Sequence, residues 1–115
     1  MTLPDTIPKR LRDQALFLPE FEEGEGAWFK VDAIAVIESL EGATVPISKV
    51  DIFKMAPGKY MPTGMILLME RFPNEADTDY AARSQSAALD FIQNSEMLQD
   101  DTLFALSFPL WKNAA

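Results

Sequence analysis

Residues 47–72 read ISKVDIFKMAPGKYMPTGMILLMERF, and they decide the fold. Ile47, Phe53 and Met55 fall on one face of an extended segment, with Val50 and Ile52 on the other, so 47–55 is predicted to be a strand. Pro57-Gly58 is a turn signal, and 59–64 reads as a loop. Residues 65–72 are almost continuously apolar, which predicts a strand covered on both faces.

Helical periods flank this hairpin. Ala33, Val36, Ile37 and Leu40 recur at i, i+3, i+4, i+7, with Ile34 widening the stripe, and predict a helix over 31–40. Asp32 suits its first turn, and Gly42 lies where it should stop. Tyr80, Ser84, Ala87, Ala88, Phe91 and Ile92 predict a second helix over 78–94, with Asp77 or Thr78 as the cap. Residues 102–108 form an apolar strand ended by Pro109. The first 26 residues, rich in Pro, Glu and Gly, read as an irregular arm with a short helix over 8–16. The expectation is a single α+β domain over 27–115. It comprises a three-stranded, mostly antiparallel sheet with two helices on one face, preceded by the N-terminal arm at 1–26.

Composition excludes several classes of function. The 115 residues are 48% hydrophobic and 24% charged, as in an ordinary globular domain. The longest apolar run, 65–69, is far short of the roughly 18–20 residues that cross a bilayer. The first 18 residues are broken by Pro4, Pro8 and charges and lack the apolar region of a secretory signal, so a cytoplasmic location is expected. There is no cysteine and no histidine. Disulfides, thiolate metal sites and Ser-His or Cys-His nucleophile schemes are therefore out of reach. Glu22-Glu23 and Asp100-Asp101 are the adjacent carboxylate pairs, and such pairs in loops are usually only solvated. Asp77-x-Asp79 lacks the central Gly and distal Glu of a calcium loop, so capping is the better reading. Gly24-Glu25-Gly26 is too short and too acidic to cradle phosphate. No cofactor and no metal are expected, and the chain reads as a binding protein rather than an enzyme.

Charge says more about the partner. The formal net charge is −8, which repels nucleic acid and anionic membranes. Glu20, Glu22, Glu23 and Glu25 place four acids in six residues. Residues 72–101 carry seven acids against Arg83 alone, whereas 47–71 is mildly basic. These clusters either keep a small domain in solution or steer and grip a basic partner. Met55, Met61, Met65 and Met69 form either a plastic core or an adaptable contact surface, with Met61 the residue most suited to exposure. Trp28 reads as a core anchor with a binding hot spot as the alternative, and Trp111 stays open between the two. A sheet edge could pair in a homodimer, but Lys49 and Lys54 in the first strand would discourage it, so a monomer is expected.

The chain resembles the immunity protein 40 family, small proteins encoded beside bacterial polymorphic toxins. The matching features run in order along most of 28–108: Asp51-Ile52-Phe53 in a short strand after an amphipathic helix, then Gly58 and Pro62-Thr63 in the following loop. Next come Tyr80, Arg83-Ser84 and 88–92 in the second helix, and an apolar closing strand at 103–108. Gly64-Met65-Ile66-Leu67 departs from the polar, aromatic segment expected after Pro-Thr, so no site carries over there. Asp51 and Arg83 match, and they read as either a structural ion pair or partner contacts. The resemblance implies neutralisation of a cognate toxin by occluding its active site or an adjoining surface. Acidity fits a toxin with a basic cleft. The candidate partner-binding residues are Glu20, Glu22, Glu23, Glu25, Asp51, Met61, Asp77, Asp79 and Tyr80. A phage-encoded acidic inhibitor of a host defence system, acting as a nucleic-acid mimic, is the alternative. A small enzyme using carboxylates alone is the remaining class.

Overall fold

The computed structural model describes residues 3–95 and 101–109. Trp111 and Asp100, singled out above, lie outside them. The elements in order are α1 (Lys9–Gln14), β1 (Glu25–Phe29), α2 (Lys30–Ser39), β2 (Lys49–Ala56), β3 (Lys59–Leu68), α3 (Asp77–Gln93) and β4 (Thr102–Ser107).

The α+β class and the antiparallel pairing stand, but the sheet has four strands rather than three, in the order β1-β4-β2-β3. The closing strand β4 lies between β1 and β2, antiparallel to both. Being central, it is covered on both faces, and all six of its residues are buried. Phe104 faces Trp28 on one side and Ile52 on the other, and Leu106 likewise meets Gly26 and Val50. The added strand β1 straddles the predicted boundary, with Glu25 and Gly26 from the segment read as an irregular arm and the other three residues from the start of the domain. Its sequence, EGAWF, opens on an acid and a glycine and shows no strand signal. Gly26 is needed for packing: a Cβ there would lie 3.2 Å from the Trp28 ring and 3.3 Å from Leu3.

Helix α2 buries Ala33, Val36 and Ile37, the predicted i, i+3, i+4 stripe, and α3 buries Tyr80, Ser84, Ala88 and Ile92 at four-residue spacing. The start of α3 is capped by Ala76, with no side-chain hydrogen bond to the free amides, so neither Asp77 nor Thr78 acts as the predicted cap. Both are already inside the helix, where acids in the first turn still favour the dipole. Helix α2 packs over β1 and β4, and α3 packs against α2. One core gathers the helix stripes with Trp28, Val50, Ile52, Phe104 and Leu106. Leu3, Ile7 and Leu11 from the N-terminal segment join it. The indole N–H of Trp28 donates to the Leu11 carbonyl at 2.8 Å, so Trp28 is a core anchor. A smaller cluster lies on the opposite sheet face, where Leu16, Leu18 and Phe21 cover Ala27, Phe53, Leu103 and Ala105.

Two expectations about the hairpin fail, for one reason. The loop read at 59–64 is the first part of β3, which pairs with β2 directly after the Pro57-Gly58 turn. The second strand ends at Leu68 rather than Phe72, and it is not covered on both faces. Met65, Ile66 and Leu68 are 48%, 50% and 62% exposed. The strand is the outermost of the sheet, beyond β1 and β4, where α2 packs. Apolar content alone does not bury a strand; its position in the sheet does. Pro62 is tolerated because an edge strand needs no second ladder. Gly64, at φ +86°, sits within a register shift where two extra β3 residues bulge out between Asp51 and Phe53.

Candidate binding surface

The hairpin end and the segment preceding β1 meet in an open cleft of about 760 Å³. Leu18, Pro19 and Glu20 form one wall, and Met55, Tyr60, Met61 and Pro62 form the other. Tyr60 also packs against the Phe21–Phe53 cluster, so the cleft wall is tied to the core. Met55 and Met61 are 51% and 43% exposed, and Met65 is comparably open, while Met69 alone of the four is buried. Three of the four methionines therefore lie at the surface rather than in a plastic core. The cause is again the outer position of β3 and its turn.

The candidate residues fall into separate places. Glu20 and Met61 share the cleft, and Glu22 and Glu23 are exposed on the chain leading away from it. Glu25 differs from its three neighbours. Its carboxylate accepts from the Ser107 hydroxyl and the Glu22 amide, each at 2.8 Å, and lies 3.4 Å from the Lys49 ammonium. Burial pushes the Glu25 carboxyl up, but these partners outweigh it and hold it below the ordinary carboxylate range. Glu25 thus ties β1 to β2 and β4.

Asp51 lies on the sheet face away from the helices, between Ala105 and Ile66 in register. It does not pair with Arg83, which belongs to α3 on the other side of the sheet. One Asp51 carboxylate oxygen is buried with no hydrogen-bond partner. Burial pushes the Asp51 carboxyl up against the pull of Lys49, and Glu25 and Glu20 raise it further.

Arg83 instead donates to both oxygens of Glu75 at 2.8 Å and to the Glu70 carbonyl, while its guanidinium stacks 3.9 Å from the Phe72 ring centroid. The Arg83 hydrogen bonds and the Phe72 amide hold the Glu75 carboxyl down at about 2. This clamp closes the β3–α3 connection. Glu75 was not among the sequence candidates, and its only signal was its spacing eight residues ahead of Arg83. Tyr80 is buried, and its hydroxyl donates to the Met69 carbonyl at 2.7 Å. Asp77 forms an ion pair with Arg71, and the two lie with Tyr80 beside a recess of about 170 Å³. Asp79 is exposed on the first turn of α3. Lys49 and Lys54 lie on β2, which is interior, so they do not guard the edge as expected.

Among the described residues no group of three or more acidic side chains is placed to hold a metal ion, and no helix is long and apolar enough to cross a membrane. What this small α+β fold presents is a hairpin with exposed apolar side chains beside a run of acids. The sequence profile of the family described as Immunity protein 40 matches residues 17–108. That span is most of the chain, and the chain belongs to the immunity protein 40 family. No curated protein and no solved structure matches it.

Proposed function

We propose that this protein neutralises a cognate bacterial toxin by binding it, occluding the toxin's active site or an adjoining surface. Family membership supports an immunity role. The observation that carries the reading to a surface is the hairpin cleft, where exposed Met55 and Met61 sit opposite Glu20. Flexible thioether chains adapt to an irregular partner surface, and the acids set orientation and encounter rate. A toxin that acts on an anionic substrate has a basic cleft, and Glu20, Glu22 and Glu23 offer carboxylates where the substrate's negative charge would lie. Glu25 and Tyr80 are engaged within the fold, with Ser107 and with the Met69 carbonyl, while Asp77 and Asp79 lie on α3.

Co-expression with the toxin domain encoded beside this gene is the direct test. Restored growth is expected, and undiminished killing would end the proposal. Reversing the charge of Glu20, Glu22 and Glu23 together should slow association and flatten its salt dependence without altering the fold. Unchanged kinetics would move the interface away from the cleft.

A further inference from the structure

The cleft uses only the first residues of β3, yet the rest of the strand presents an edge that the fold leaves open. Its geometry follows from the ladder. The Ile52 carbonyl accepts from the Thr63 hydroxyl at 2.9 Å, whereas the Met55 amide donates to the Asp101 carbonyl at 2.8 Å. The pairing of β2 with β4 is unbroken from Lys49 to Lys54, so even-numbered β2 residues direct their backbone groups to β3 and odd-numbered ones to β4. Val50 opposes Leu67, so Leu67 bonds inward. Ile66 and Leu68 therefore turn their N–H and C=O groups away from the sheet, and among the described residues no strand pairs with them.

The usual guards are missing from this part of the edge. Residues 61–69 carry no charge, and Pro62 and the bulge at Gly64 protect only the first half of the strand. The Ile66 and Leu68 side chains are exposed on the same sheet face as Asp51. Asp51 stands directly opposite Ile66, with its one unpartnered carboxylate oxygen.

We propose that the toxin adds an extended segment to β3 as a fifth strand, pairing with Ile66 and Leu68 and directing a lysine or arginine toward Asp51. This rests on the reading that the chain binds a toxin. Charge selects a basic segment over a second copy of this chain. Two copies, each with net charge −8, repel one another. A two-fold pairing centred on Leu67 would also bring only the uncharged Ile66 and Leu68 toward the partner's edge, supplying no cation to Asp51. Strand addition of this kind draws affinity from main-chain hydrogen bonds and specificity from alternate side chains.

The test titrates the purified toxin domain encoded beside this gene against the wild type and two variants. Leu68→Pro removes one outward N–H and leaves the pairing with β2 intact. Ile66→Lys sets a cation at an exposed position, where it competes for Asp51. Each should weaken binding about tenfold or more, the equivalent of one or two lost hydrogen bonds. Wild-type affinity in both variants overturns strand addition while leaving toxin binding intact; absence of wild-type binding overturns both. Amide exchange in the free protein gives a second readout. Ile66 and Leu68 should exchange fast at every protein concentration and slow only with toxin. Slow exchange in the dilute free protein would mean the chain covers its own edge, and slowing with its own concentration would mean a second copy does. Either result overturns the proposal.

Discussion

Strands β4 and β3 are both rich in apolar residues, yet they live in opposite surroundings. TLFALS of β4 is buried at every position, while KYMPTGMILL of β3 is exposed or half-exposed throughout. The difference is topological. The last of the described strands inserts between β1 and β2, and the hairpin's second strand lies at the rim. Burial of Phe104 and Leu106 stabilises the fold. The apolar groups of Met61, Met65, Ile66 and Leu68 contribute far less to it, and they remain available to a partner.

The comparison breaks if the two strands respond alike to truncation. Phe104→Ala or Trp28→Ala should cost about 3–5 kcal/mol in urea unfolding, because each leaves a cavity in the main core. Leu68→Ala should fall within about 0.5 kcal/mol of the wild type. A loss at Leu68 as large as that at Phe104 would mean that β3 is covered. A smaller effect is expected at the edge of the core. Ser84 accepts the buried Ile47 amide at 3.0 Å, so Ser84→Ala should cost about 1–3 kcal/mol by orphaning that donor.

The smallest effects lie in pH dependence, and they sharpen the contrast by sign. Glu75 is held at about 2 in the folded chain, below its unfolded value of about 4.3. Its contribution is fully present above the unfolded value and is lost as pH falls toward 2, so Glu75→Gln should flatten the acid limb of a stability profile. Asp51 is shifted the opposite way. The folded state holds its proton more firmly than the unfolded chain, so stability falls as pH rises from the unfolded value, about 3.9, through the raised folded one. Asp51→Asn should remove that fall, and a profile unchanged by the substitution would mean that the carboxylate is already satisfied.

Much of this was legible in the chain. The stripe of α2, most of the stripe of α3, the Pro57-Gly58 turn and the closing strand all follow from local periodicity. Strand β1 was not legible, because EGAWF becomes a strand only by pairing with a segment about eighty residues away, as the Trp28–Phe104 pair shows. Exposure of β3 was hidden for the same reason: a continuous apolar run reads as buried until strand order is known. Pro62 and Gly64, just ahead of the run, were the signals that could have marked an edge. Among the site candidates, Glu20 and Met61 do meet in one cleft. Glu25 stood in the same acidic run, and only the fold separates its structural role from the exposed carboxylates of Glu20 and Glu22. Asp51 and Arg83 both match the family pattern yet lie on opposite sides of the sheet, because residues alternate across a strand.

The proposal that the hairpin binds a toxin is tested most directly by mapping amide exchange over the whole chain with and without the cognate toxin domain. Slowed exchange is predicted in residues 18–23 and 55–68, with α2 and β4 unchanged. Slowing confined to α2 and α3, with the hairpin unaffected, would contradict it.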